Sequence, residues 1–172
     1  MQKLIYKDES GQPVGMYSGS YALLIGVSKY TAGWPALESV PGELDKVEQA
    51  LKLRGFITRK VVDPDARALK AAFEGFIDEY GYDRDNRLVV FFSGHGATLD
   101  DGEKGYLVPV DAPDPRKDEK NFRRRALDMN DVLSCCRKMT AKHAIFLFDS
   151  CFSGAIFKTK ALPAVPPHIT VM

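Results

Sequence analysis

The stretch that decides the fold runs from residue 144 to residue 154 and reads AIFLFDSCFSG. Its first five residues are all apolar. A short apolar run bounded by polar residues is typical of a strand that is buried on both faces. The run ends abruptly on a carboxylate, a hydroxyl and a thiol, which belong to Asp149, Ser150 and Cys151. In an open parallel α/β sheet, such a change marks the carboxyl end of a strand, where catalytic groups collect.

A second apolar run, residues 88–92, ends in a similar way, on the sequence SGHG at residues 93–96. If the two strands are parallel neighbours, Cys151 and His95 lie side by side. A cysteine attacks as the thiolate, and a histidine within hydrogen-bond reach takes its proton and later returns it to a leaving amine. The backbone N–H groups of Gly96 and Cys151 are then the predicted oxyanion hole.

Composition indicates one soluble globular domain. The chain has 172 residues, of which 45% are hydrophobic and 27% charged, with a formal net charge of +1. Neither a nucleic-acid partner nor a membrane is expected, because there is no strong positive charge and no apolar stretch long enough to span a bilayer. Of the three cysteines, two are adjacent, at Cys135 and Cys136, which makes a poor disulfide framework. A reducing, cytoplasmic location is therefore expected.

Strand and helix patterns alternate through most of the chain, which predicts an α/β fold with a mostly parallel sheet and helices on both faces. The four predicted strands are residues 21–27, 56–62, 88–92 and 144–148, and helical patterns follow the first two and precede the last. Residues 98–104 read as a turn. Residues 112–125, rich in charge, read as a mobile surface loop.

Three segments are expected along the chain. Residues 1–20 form an N-terminal arm or short hairpin, residues 21–158 form the catalytic domain, and the proline-rich residues 159–172 form a linker. Four strands are few for such a sheet, so we expect a second polypeptide or a downstream segment to complete it.

The paired motifs resemble those of the caspase-like cysteine peptidases of clan CD. SGHG after one apolar strand, and Asp-Ser-Cys-x-Ser-Gly after another, are most similar to metacaspases and their bacterial relatives, including ortho- and paracaspase-type proteins. The resemblance covers about residues 20–158, looks like the large (p20-like) subunit and implies a three-layer α/β/α sandwich. The Gln-Ala-Cys pattern of the aspartate-cleaving caspases is absent.

The resemblance implies an endopeptidase that cleaves after Arg or Lys. Asp149 matches the carboxylate that lines the S1 pocket in metacaspases, and Asp45 is the position taken to match a second pocket aspartate. Two carboxylates would select a basic P1 side chain. Ser93, two residues before His95, is expected to add a polar contact.

The resemblance also implies particular partners and activation as a zymogen. Expected partners are protein or peptide substrates, a small (p10-like) subunit or downstream segment, and a regulatory domain or activating protease. Arg125, Lys158 and Lys160 are candidate processing sites for an arginine- or lysine-directed peptidase.

No cofactor is required, although metacaspases often use calcium. The available carboxylates are Asp100, Asp101, Asp111, Asp114 and Asp128, with Asp111 and Asp128 the preferred candidates. Two alternatives to an active peptidase stay open. One is a catalytically silent scaffold with the same fold. The other is a nucleotide- or phosphate-binding domain, which is disfavoured because no glycine-rich phosphate loop follows any strand.

Overall fold

The computed structural model describes residues 4–7, 9–100, 102, 104–150 and 167–172. Their strands are β1 (Leu4–Lys7), β2 (Pro13–Tyr17), β3 (Gly19–Gly26), β4 (Ile57–Val62), β5 (Asn86–Ser93), β6 (Gly96–Leu99), β7 (Lys104–Leu107), β8 (Leu127–Asp128), β9 (His143–Asp149) and β10 (Ile169–Val171). Their helices are α1 (Val40–Lys52), α2 (Ala66–Tyr80), α3 (Pro115–Arg125) and α4 (Met129–Lys138). No described helix is both long and apolar enough to cross a membrane.

A five-stranded sheet in the order β10-β9-β5-β3-β4 forms the centre of the molecule. All its described pairings are parallel. Its inner strands are apolar along nearly their whole length because both faces of the sheet are covered. In β3, for example, residues 22–26 are all buried.

Helices cover the two faces of this sheet. On one face, Val40 and Leu44 of α1 pack with Leu24 of β3. On the other face, α2 and α4 pack against β3, β5 and β9, with Phe73 and Cys136 in the same cluster of buried residues. These packing layers confirm the predicted α/β/α architecture and explain the apolar stripe on each helix.

A small second sheet, in the order β6-β7-β8, follows the SGHG loop. Within the predicted turn at residues 98–104, Asp100 and Gly102 do lie in a turn, while Thr98 and Leu99 belong to β6 and Lys104 to β7. The prediction of a mobile loop over residues 112–125 is wrong, since most of it is α3. Asp114 caps this helix by accepting from the Arg116 N–H at 3.0 Å, Pro115 occupies its first turn, and Phe122 is fully buried.

The two ends of the described chain also form strands. At the N-terminus, β1 and β2 make an antiparallel hairpin, in the segment predicted as an arm or hairpin. At the other end, Ile169 pairs with Ala144, so β10 joins the central sheet beside β9. The linker prediction for residues 159–172 therefore does not hold for its last residues. The prolines stop at Pro167, and the β-branched triplet that follows suits a strand.

Candidate active site

The carboxyl ends of three neighbouring strands meet at one edge of the central sheet. Ser93, the last residue of β5, is the register partner of both Gly26 on β3 and Asp149 on β9. Just beyond them, the Gly94 N–H donates to the Asp149 carbonyl at 3.2 Å, and the Val27 N–H donates to the Ser93 carbonyl at 2.9 Å. The segments that follow β5 and β9 therefore leave the sheet from adjacent positions.

Several of the predicted residues lie outside the described part of the chain. They are Cys151, Lys158, Lys160 and Asp101. The Cys151–His95 pair and the oxyanion hole of Gly96 and Cys151 consequently stay predictions.

The His95 ring is oriented by a backbone carbonyl. Its Nε2 lies 2.9 Å from the carbonyl oxygen of Pro35. Because a carbonyl oxygen can only accept, Nε2 carries the imidazole proton, and in the neutral ring the lone pair is then on Nδ1. This bond fixes both the tautomer and the orientation that a general base requires.

Two aromatic side chains enclose the same histidine. The His95 backbone N–H donates to the Tyr30 hydroxyl at 2.7 Å, and the centroids of the two rings are 4.7 Å apart. The Trp34 ring lies on His95 at a centroid distance of 5.1 Å and is itself held by a 3.0 Å bond from its Nε1 to the Ala112 carbonyl. Trp34 also meets Phe122 of α3, so the second sheet and α3 support the position of His95 from behind.

Burial keeps the Tyr30 hydroxyl neutral. Loss of hydration raises its pKa from the ordinary 10.0 to about 12. The hydrogen bond from the His95 N–H opposes this shift, while the negative charge of Asp63 adds to it. Tyr30 therefore accepts from His95 as a neutral phenol throughout the physiological pH range.

A carboxylate missed by the sequence reasoning also lies at this edge. The Ser93 hydroxyl donates to the Glu43 carboxylate at 3.2 Å. Asp45, two residues further along α1, is turned by about 200° around the helix. Asp45 instead pairs with Lys60 at 2.8 Å, with 62% of its side chain exposed. The signal that could have found Glu43 is its place in the first turn of α1, the turn nearest the carboxyl ends of the strands.

The described candidate calcium ligands are occupied with protein partners. Asp111 accepts from the Ala66 N–H at 2.9 Å and pairs with Arg125, while Asp128 caps α4 by accepting from Asn130 at 2.8 Å. Of the others, Asp100 pairs with Arg123 and Lys104, and Asp114 pairs with Arg116. Among the described residues, no group of three or more His, Cys, Asp or Glu side chains is arranged to hold a metal ion.

Arg125, a candidate processing site, lies in the last turn of α3 and pairs with Asp111. Its neighbour Arg123 pairs with Asp100 at 2.6 Å and with Glu119 at 2.8 Å. Because Arg125 belongs to a helix that is anchored by the buried Phe122, cleavage after Arg125 would need local unfolding first.

The two described cysteines are poor nucleophiles. Cys136 is fully buried, and loss of hydration raises its pKa to about 12. Burial also raises the pKa of Cys135. Both therefore stay protonated near pH 7, so Cys151 is the remaining candidate for the nucleophile.

These features define an α/β protein with a histidine whose ring is oriented by a backbone carbonyl at the carboxyl edge of a parallel sheet. The sequence model of the caspase domain of peptidase family C14 matches residues 20–165, most of the chain, and the protein belongs to this family. Membership supports a cysteine peptidase that acts on protein substrates. No curated protein matches the chain significantly.

The raised pKa of Tyr30 predicts a specific loss of stability in alkali. A group whose pKa is raised on folding contributes stability below its unfolded value, 10.0, and that stability is lost as the pH rises towards about 12. Urea denaturation at pH 9 and pH 11.5 should therefore show a smaller alkaline loss of unfolding free energy for Tyr30→Phe than for the wild type. Tyr82→Phe, at an exposed position, is the control and should keep the wild-type loss. An unchanged loss in Tyr30→Phe would contradict the buried, neutral phenol.

Proposed function

We propose that the chain is the catalytic part of a cysteine endopeptidase that cleaves after Arg or Lys, with Cys151 as nucleophile and His95 as general base. The observation that carries this proposal is the register of Ser93 opposite Asp149. His95 lies two residues after Ser93, and Cys151 lies two residues after Asp149. Because both residues lie two positions beyond paired residues, the side chains of His95 and Cys151 are expected to lie close together above the edge of the sheet.

The chemistry follows from the tautomer of His95. With the proton on Nε2 bonded to Pro35, Nδ1 takes the proton of the Cys151 thiol. The thiolate attacks the scissile carbonyl, and the amides of Gly96 and Cys151 stabilise the oxyanion. Nδ1 then gives its proton to the leaving amine, and water hydrolyses the acyl-enzyme with His95 as base. During each transfer, the Pro35 carbonyl stabilises the imidazolium by accepting from Nε2.

The selection of a basic P1 side chain is assigned to two carboxylates at the sheet edge. Asp149 is exposed at the end of β9, and Glu43 approaches from α1. Ser93 links them, since it pairs with Asp149 in register and donates to Glu43. Charge-assisted hydrogen bonds from a guanidinium or ammonium suit such a pair, whereas an acidic P1 residue would be repelled. We assign the second pocket carboxylate to Glu43 in place of Asp45.

Completion and activation remain part of the proposal. A small subunit or downstream segment would complete the substrate cleft, with cleavage at Lys158 or Lys160 as the activating event and a regulatory domain or activating protease as a further partner. Arg125 is the weaker processing candidate because it lies in α3, which is anchored by the fully buried Phe122.

The proposed activity can be tested with fluorogenic peptides that carry Arg, Lys or Asp at P1. We expect cleavage after Arg and Lys and none after Asp. Cys151→Ala should lower kcat/KM by more than about 10³-fold, because the covalent step is lost. Cys135→Ala is the matched control for loss of a thiol and should keep wild-type activity.

Two outcomes would contradict the peptidase proposal. One is cleavage after Asp, and the other is activity that survives Cys151→Ala. A protein that cleaves no peptide and is not labelled by an arginyl chloromethyl ketone would favour the catalytically silent scaffold.

The pocket assignment makes a separate prediction for Glu43→Gln and Asp45→Asn. Loss of one charged hydrogen-bond acceptor costs about 1.5–3 kcal/mol, so kcat/KM for an Arg substrate should fall roughly 10- to 150-fold in Glu43→Gln. In Asp45→Asn, kcat/KM for the same substrate should fall less than about threefold, because the exposed pair between Asp45 and Lys60 contributes little. A larger loss in Asp45→Asn would restore the assignment made from the sequence.

A further inference from the structure

The bend at the end of β4 places one carboxylate against the loop that holds His95. Asp63 follows β4 with a φ of 51°, a left-handed conformation that Asp and Asn adopt more readily than most residues. Its own N–H donates to the Gly26 carbonyl at 2.8 Å, which fixes the bend to the end of β3. Its Oδ1 accepts from the backbone N–H groups of Ser28 at 2.6 Å and Lys29 at 2.9 Å.

These two bonds hold the start of the loop from residue 28 to residue 39. The same loop supplies both groups that bond to the histidine, the Tyr30 hydroxyl and the Pro35 carbonyl. Its far side returns to the same point, because the Leu37 N–H donates to the Ser28 carbonyl at 3.0 Å. Asp63 therefore fixes Ser28, the residue at which the two sides of the loop are bonded to each other.

The loop is also held by hydrogen bonds to backbone carbonyl oxygens elsewhere in the fold. The Thr31 N–H donates to the Val110 carbonyl at 2.8 Å, and the Trp34 indole N–H donates to the Ala112 carbonyl at 3.0 Å. Asp63 contributes through a side chain instead. A substitution there can therefore remove one anchor and leave the others in place.

We propose that Asp63 is a positioning residue for the catalytic histidine, acting through Ser28 and Lys29 on the loop that bonds both the backbone and the ring of His95. This inference rests on the proposed peptidase function. In that function, a displaced His95 slows proton transfer and lowers kcat. KM should change little, because the P1 contacts are assigned to Glu43 and Asp149, which belong to other elements.

Two variants separate the hydrogen bonds of Asp63 from its backbone conformation. Asp63→Asn keeps a carbonyl oxygen that can accept from both N–H groups, and it tolerates a positive φ. Asp63→Gly adopts the same φ without strain but removes the acceptor. We expect kcat to fall about 10- to 100-fold in Asp63→Gly with KM within about twofold, since a displacement near 1 Å can cost that much. Asp63→Asn should retain most of the wild-type kcat.

Asp65→Ala is the matched control for general destabilisation. Asp65 caps α2 by accepting from the Ala68 N–H at 2.7 Å, so its loss weakens the neighbouring helix without touching the loop. Amide hydrogen exchange of residues 28–39 and of the His95 N–H gives a second readout that does not need activity. Exchange should be faster in Asp63→Gly and close to wild type in Asp63→Asn and Asp65→Ala.

The outcomes distinguish this proposal from the peptidase proposal itself. Wild-type kcat in Asp63→Gly, or an equal loss of kcat in Asp63→Asn and Asp63→Gly, would overturn the role assigned to Asp63. If the wild-type protein cleaves no peptide, the peptidase proposal fails. Amide hydrogen exchange then tests whether Asp63 anchors the loop. Unchanged exchange of the His95 N–H in Asp63→Gly would overturn that role.

Discussion

The parallel pairing of β5 with β9 is the constraint on which the rest of the site depends. It sets Ser93 opposite Asp149, so that the two chemically distinctive segments leave the sheet side by side. A slip of one residue would turn every side chain of a strand to the other face and separate the two segments. Apolar packing prevents this, because residues such as Val90 and Phe146 are fully buried between the helical layers.

A second constraint acts on the histidine alone. The residues after β3 form a loop that bonds His95 at its backbone through Tyr30 and at its ring through Pro35. Trp34 contacts both His95 and Phe122, so α3 supports the histidine without supplying a group to the proposed chemistry. The large sheet therefore brings the segments after β5 and β9 together, while the loop after β3 orients the side chain of His95.

The sequence allowed the main strands, the layers and the His95 edge to be predicted, because apolar runs that end on polar residues are local signals. The contact of Glu43 with Ser93 was not predicted, because the sequence pattern of α1 did not fix which of its carboxylates faces the sheet. α3 was missed because its stability comes from the burial of Phe122 and from ion pairs such as Arg125–Asp111. The role of Pro35 has no sequence signature, since its contribution is a backbone carbonyl.

The most direct test of this account is the tautomer of His95, measured from the imidazole ¹⁵N chemical shifts of the neutral ring. The chain has three histidines, so a His95→Gln variant is enough to assign the signals. We expect a protonated Nε2 and an unprotonated Nδ1, because the Pro35 carbonyl can only accept. A neutral ring with its proton on Nδ1 would contradict it, since the nitrogen assigned to receive the Cys151 proton would then already be occupied.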